Sequence, residues 1–257
     1  MRILALGDIF GDEAVKYVSA RLGDVINKLN IDLTVANCEN ASGAQGVEPK
    51  MADSLLAAGC DVLTGGNHSF GKPAFLPYLE DKENVLRPAN YPSSAPGSGY
   101  AIVRAADGTR VLVANLRGNC DMMPTLACPF ETLEKILEYE KGNYDICMLD
   151  MHAEYTSEKL AMLYAFDGRA NAIFGTHTHV PTADARITEK GTGYITDLGM
   201  CGPVNSILGV NSDAILRNMR DKLPSRFITA EGPVKAMGAI FEFDSSKKCI
   251  KVSRVEF

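Results

Sequence analysis

Short apolar runs that end in polar residues recur along this chain, and between them the apolar spacing switches to threes and fours. Ile3, Leu4 and Leu6 form the first run, closed by Gly7-Asp8. From Asp12 the positions Val15, Val18, Leu22, Val25, Ile26 and Leu29 trace one face of a helix. A second run, Leu33 to Ala36, enters Asn37-Cys38-Glu39-Asn40, and Pro49, suited to a first helical turn, opens a helix that stops at Gly59. A third, Asp61 to Leu63, leads into Gly65-Gly66-Asn67-His68 and a short helix near Ala74 to Leu79. Strands alternating with helices in this way pair in parallel, because each crossover is long enough to carry the chain back across the sheet.

After Leu86 the segment RPANYPSSAPGSG reads as a loop, and the turn at Asp107-Gly108 joins strands Gly99 to Arg104 and Arg110 to Asn115 into a hairpin. Alternation resumes with a helix from Phe130 to Tyr139, a strand from Tyr144 to Leu149, a helix from Ser157 to Ala165 and a strand from Ala172 to Phe174. Strands at Gly193 to Thr196, Ala236 to Phe243 and Cys249 to Val255, with a helix from Ala214 to Leu223, complete the chain. With no internal repeat and no linker, the expected architecture is one layered α/β domain over residues 1–257, its sheets flanked by helices, with a small accessory subdomain around 200–232.

A chain of 257 residues buries roughly three quarters of its unfolded surface, so no disulfide or metal staple is needed merely to fold. A content of 46% hydrophobic and 23% charged residues excludes disordered and fibrous classes. No window reaches the ~18 to 20 apolar residues of a membrane span, and the first residues, broken by Asp8 and lacking a small-residue cleavage site, do not read as a signal peptide. The expected location is cytoplasmic. A net charge of -6 without a Lys/Arg run argues against duplex nucleic acid as a partner, and leaves a homo-oligomer open. The seven cysteines are scattered without a CxxC pair, which suits reduced thiols packed as small hydrophobes.

Ligands in α/β sheets sit at the carboxyl ends of strands. The residues there are Asp8, Glu39 with Asn40, Asn67 with His68, His152, and His177 with His179, and they include all 4 histidines. Each alone has a bland reading: Gly-Asp as a turn, Asn-His as a loop, a single histidine as a hydrogen-bonded core residue. His177 and His179, two apart on an extended segment, would share a face and point the same way. Taken together, these residues read as a metal centre. Asp, Glu, Asn and His without thiolate suit Fe, Mn or Zn rather than a zinc finger or a calcium cage. The set is too large for one ion and fits a pair ~3.5–4 Å apart, the arrangement used for hydrolysis at phosphorus.

The motifs GD at 7–8, NCENASGAQG at 37–46, GGNHSFGK at 65–72, DMHAEYTSEK at 150–159, DGRANAIFGTHTHVPTAD at 167–184 and YITDLGM at 194–200 resemble the YmdB-type family of calcineurin-like metallophosphoesterases. The resemblance covers most of the chain and keeps the motif order. It implies the calcineurin-like sandwich, with Asp8, Glu39, Asn40 and His179 on one metal and Glu39, Asn67, His152 and His177 on the second, Glu39 bridging. It implies iron, with manganese as a workable substitute, and places His68 as a catalytic histidine that protonates the leaving oxygen or stabilises the phosphorane-like transition state. Two departures from the wider superfamily, Phe10 where a ligating histidine is common and Glu39 where aspartate is common, fit this branch.

Two cations bring a bridging water near neutrality as a nucleophile, and a general acid opposite it contributes about 10² to 10⁴ in rate. The resemblance points to a small phosphoester substrate, a cyclic nucleotide, with 2',3'-cyclic nucleoside monophosphates favoured. A phosphomonoesterase or 5'-nucleotidase on the same centre, and a non-catalytic metal-dependent nucleotide-binding regulator, are the alternatives. Arg87 reads as an exposed loop arginine, with Arg117 and Arg169 open to the same reading, and Met122 and Met123 read as packing residues. Glu154, Thr178 and Asp184 are candidates for orienting imidazoles.

Overall fold

The computed structural model describes residues 1–257. In chain order the elements begin β1 (Arg2–Leu6), β2 (Asp8–Ile9), α1 (Asp12–Leu29), β3 (Leu33–Asn37), α2 (Pro49–Ala57), β4 (Val62–Thr64) and α3 (Phe75–Asp81). The middle third adds the hairpin β5 (Tyr100–Arg104) and β6 (Arg110–Arg117), then α4 (Pro129–Tyr139), β7 (Ile146–His152), α5 (Thr156–Phe166) and β8 (Ala172–Thr176). The last third holds β9 (Arg186–Ile187), β10 (Gly193–Ile195), β11 (Met200–Pro203), α6 (Ser212–Met219), β12 (Val234–Lys235), β13 (Met237–Phe243) and β14 (Cys249–Glu256).

Side-chain alternation builds the layers. In β1, Ile3 and Ala5 face one way and Leu4 and Leu6 the other, and all are fully buried. A sheet buried on both faces needs cover on both, and the fold supplies it. The first sheet runs β14-β13-β1-β3-β4, with β3 and β4 parallel to β1. Leu4, Leu6, Ala36 and Leu63 pack on α1 and α2 through Val15, Val18, Leu22 and Leu55. The second sheet runs β5-β6-β7-β8-β10-β9 with a parallel centre, and α4 and α5 cover its outer face through Leu133, Leu137, Met162 and Phe166. Between the sheets lies an apolar layer in which Ile3, Leu33 and Val35 meet Val113, Met148 and Phe174. The result is an α/β/β/α sandwich, the layered α/β class expected from the sequence, and no helix is long and apolar enough to cross a membrane.

A third, small sheet, β12-β11-β2, is absent from the sequence reading because its strands are two to four residues long, too short for a period to register. It matters to the site: β2 pairs Asp8 with Met200 and Ile9 with Cys201. Beside it Phe10, Met200, Val210 and Ile215 form a separate cluster under α6. The two-residue β9 also escaped the reading, and α6 ends at Met219 rather than Leu223.

Burial corrects several single-residue expectations. Arg87 is 6% exposed, not a surface loop residue, and Arg117 is fully buried. Arg117 donates from Nε to the Gly118 carbonyl and from its Nη atoms to the carbonyls of Met122, Met123 and Pro124, so it folds that loop around itself. Arg169 is the surface arginine, paired with Glu134 at 2.7 Å. Met122 is buried, but Met123 is 81% exposed and packs against little. All seven cysteines are free, five buried as expected, while Cys120 and Cys128 are exposed.

Candidate metal centre

The parity that fills the inter-sheet layer also explains why polar groups collect at one end of it. Leu33 and Val35 continue in phase into Asn37, Val62 into Thr64, Ile146 and Met148 into Asp150 and His152, and Ala172 and Phe174 into Thr176. Each of these polar residues is fully buried at the carboxyl end of its strand. They satisfy one another across the two sheets. Asp150 accepts from Thr64 Oγ1 at 2.5 Å, Asn37 Nδ2 at 3.1 Å and Thr176 Oγ1 at 2.7 Å. With its hydrogen committed to Asp150, Thr176 Oγ1 accepts from His152 Nδ1 at 2.9 Å. That chain sets the tautomer of the neutral ring: Nδ1 carries the hydrogen, and Nε2 faces the centre.

Around His152 Nε2 the other sequence candidates converge. Asn67 Oδ1 stands at 3.0 Å, His177 Nδ1 at 3.1 Å and Glu39 Oε2 at 3.3 Å. Ligand atoms of Glu39, His152 and His177 all lie within 4.8 Å of one another. On the other side of Glu39, Asn40 Nδ2 is 3.0 Å from Glu39 Oε1 and 3.5 Å from His179 Nε2, which is itself 3.8 Å from Asp8 Oδ1. All seven candidate ligands are thus gathered, with Glu39 between the two groups.

The donor chemistry fits cations. Asp8 Oδ1 and Asn40 Oδ1 are buried without any hydrogen-bond partner, a state that costs about 1–3 kcal/mol per atom unless something electropositive faces them. Burial would push the Glu39 carboxyl up, but His152 outweighs it and holds Glu39 down, to about 2. Burial likewise favours a neutral His152, yet Glu39 holds that ring protonated up to about 9. Burial raises Asp8 to about 6 and, helped by the charge on His152, lowers His177 to about 3. A buried carboxylate and a buried imidazole 3.3 Å apart are donors that a cation would sit between. Gly66 keeps that space open, since a Cβ there would collide with Glu39 Oε2 and His152 Nε2.

His177 and His179 reach the centre differently from the extended reading of the sequence. Both have positive φ, 96° and 64°, so they lie on a looped segment after β8 rather than on one face of a strand. Backbone held in such a region by non-glycine residues costs on the order of 1–3 kcal/mol and persists only where surroundings enforce it. Here they do. The Asp197 carboxylate accepts from Thr178 N at 3.2 Å, Thr178 Oγ1 at 2.9 Å and Gly199 N at 2.9 Å, and pairs with the fully buried Lys159 at 2.8 Å. His177 N donates to Asp8 Oδ2 at 3.0 Å, and His179 Nδ1 lies 3.1 Å from the Leu208 carbonyl.

Of the candidates for orienting imidazoles, Glu154 faces His177 Nε2 at 3.1 Å. Thr178 acts through Asp197, and Asp184 binds Thr182 and Thr196 instead of a histidine. The sequence reading missed Asp150, Thr176, Lys159 and Asp197. For the first two a signal was there: Asp150 shares the parity of Ile146 and Met148, and Thr176 that of Ala172 and Phe174, so β7 runs on through His152 and does not end at Leu149.

His68 stands outside these groups. Its backbone N–H donates to Glu39 Oε2 at 3.1 Å, and its half-buried ring lines a cleft of about 750 Å³ shared with Glu39, Asn40, His177 and His179. Lys72 and Arg226 bring positive charge to the same walls.

Residues 4–255 match the family described as YmdB-like protein. A 2',3'-cyclic-nucleotide 2'-phosphodiesterase from Bacillus subtilis is 39% identical over 99% of this chain and 96% of its own length. A crystal structure of a hypothetical protein from Thermus thermophilus superposes with a TM-score of 0.94 at 35% identity, covering 100% of this chain and 99% of that one. A crystal structure of a phosphatase from Mycoplasma pneumoniae does so with 0.93 at 33% identity, covering 100% and 93%.

Proposed function

Since the chain belongs to the YmdB-like protein family, we propose that it is a metal-dependent phosphodiesterase that opens 2',3'-cyclic nucleoside monophosphates in the cytoplasm. The observation that carries the proposal is the pairing of a closed N/O donor set, Asp8, Glu39, Asn40, Asn67, His152, His177 and His179, with a cleft onto which His68 also opens. Asp8, Glu39, Asn40 and His179 would hold one ion and Glu39, Asn67, His152 and His177 the other, with iron favoured and manganese able to substitute. Divalent cations held there supply Lewis acidity at phosphorus and bring water near neutrality as a nucleophile.

The chain's own groups do the rest. Asp150, through Thr176, keeps the His152 lone pair directed inward. Asp197 holds Thr178, and with it the two flanking imidazoles. His68, tied to Glu39 by its backbone alone, keeps its ring free for the cleft and protonates the leaving ribose oxygen. That role needs no metal ligand, so it is separable by mutation.

The test is an assay of manganese-loaded enzyme against 2',3'-cAMP, 3',5'-cAMP and p-nitrophenyl phosphate. Preference for the first supports the proposal, preference for the monoester replaces it with a phosphomonoesterase, and no turnover of any would leave a nucleotide-binding regulator. His68→Ala should retain two metals per chain and lose at least about a hundredfold in kcat. An unchanged kcat would remove His68 from proton transfer.

A further inference from the structure

Apolar surface is unevenly distributed in the cleft. Its apolar lining is Phe10, Ala44, Phe227 and Ile228. Phe10 is only 3% exposed, wedged edge-on against His179 with ring centroids 5.7 Å apart. Phe227 and Ile228 are 46% and 53% exposed, so part of the lining offers open hydrocarbon and aromatic surface in the cleft shared with Glu39, Asn40, His177 and His179.

That wall is built in. Ile228 O accepts from Asn211 N at 2.9 Å, Ala230 N donates to Gly209 O at 2.9 Å, and Thr229 bridges to Val210. The strip it pairs with is the one whose Leu208 carbonyl meets His179, and Gly209 lies so close to the Phe10 ring that a Cβ would fall 2.6 Å from it. Phe227 therefore adjoins a strip that is paired with the one meeting the His179 imidazole.

We propose that Phe227, with Ile228 beside it, is a nucleobase shelf, so that this centre selects nucleoside phosphoesters over phosphoesters lacking a base. The inference rests on the phosphoesterase reading above. A cleft of about 750 Å³ falls in the range of roughly 300–1,000 Å³ typical of small-ligand sites. The donor set would take the phosphoryl end, which leaves the base to the apolar part of the lining. An exposed aromatic face suits any base, and such stacking is worth roughly 5- to 150-fold in affinity. Arg226, next to Phe227 in the same wall, adds a cation that attracts an anionic nucleotide into the cleft.

The experiment compares kcat/KM for 2',3'-cAMP with that for methyl riboside 2,3-cyclic phosphate, which has the ring and phosphate but no base. Phe227→Ala should lower the ratio of the two by at least about fivefold, chiefly through the KM for 2',3'-cAMP, while Phe227→Trp retains it. Saturation-transfer NMR with adenosine reads the shelf without turnover, and its signal should weaken in Phe227→Ala. A ratio unmoved by Phe227→Ala, or a parent enzyme indifferent to the base, would overturn the shelf and leave the phosphodiesterase reading standing. A parent that turns over neither ester, yet contacts adenosine through Phe227, would support the shelf and sink the phosphodiesterase.

Discussion

Replacing Lys159 by methionine should destabilise the fold by about 3–5 kcal/mol, the range seen when one partner of a buried ion pair is removed. The upper half of that range is expected. The pair is 2.8 Å apart, with side-chain exposures of 0% and 1%, so water cannot replace the lost ammonium. Asp197 would retain Thr178 N, Thr178 Oγ1 and Gly199 N as neutral donors, which soften the loss without balancing the charge. For a chain of this size each kcal/mol moves Tm by roughly 2–4 °C, so the drop should be roughly 8–20 °C, with a matching fall in the urea midpoint at constant m-value. Asp197→Asn in the same background removes the stranded charge and should recover part of the loss, a coupling of at least about 1 kcal/mol. Because Thr178 sits between His177 and His179, both proposed metal ligands, metal content should fall as well. A Lys159→Met protein within 1 kcal/mol of the parent, or a double variant whose losses simply add, would refute the claim that this pair holds the loop.

Gly66→Ala should abolish metal uptake while leaving the Tm of chelator-treated protein within a few degrees, since its Cβ meets Glu39 and His152 side chains rather than backbone; elemental analysis and calorimetry check both halves. Glu154→Gln, by weakening the partner of His177 Nε2, should cost about 10- to 100-fold in metal affinity by chelator competition. At the amino ends of β6 and β7, hydrogen bonds from Arg110 hold the Asp145 carboxyl down to about 2. A depressed carboxyl contributes stability above its unfolded value near 4 and loses it as pH falls toward 2. Asp145→Asn should therefore lie below the parent in urea midpoint at pH 7, with the gap closing between about pH 4 and pH 2; a gap constant over that window would exclude the linkage.

The layering was legible because it rests on period: Ile3 and Ala5 against Leu4 and Leu6 require a sheet covered on both faces. The metal candidates were legible because carboxylates and imidazoles do not stand at successive strand ends by accident. What escaped was structure without local pattern. Polar residues that continue a strand look like its end, which is why Asp150 and His152 shortened β7 in the sequence reading. Arg117 gave no sign of burial because the carbonyls of Met122, Met123 and Pro124 that receive it come from a loop with no apolar periodicity. The loop conformation of His177 and His179 is imposed from outside by Asp197 and Asp8, residues far away in the chain.

The polar seam joining Asn37, Thr64, Asp150 and Thr176 bears on how the two sheets find each other. An apolar layer tolerates sliding, since one methyl contact can replace another along the strands. The seam does not, because either sheet alone, or both docked out of step, leaves Asp150 buried without the hydroxyls of Thr64 and Thr176 and the amide of Asn37, and each buried polar group left unpaired costs about 1–3 kcal/mol. It works as a key that admits a single docking offset. Its bonds can close only after both sheets have met, so damage to it should appear mainly as faster unfolding, with the folding rate little changed.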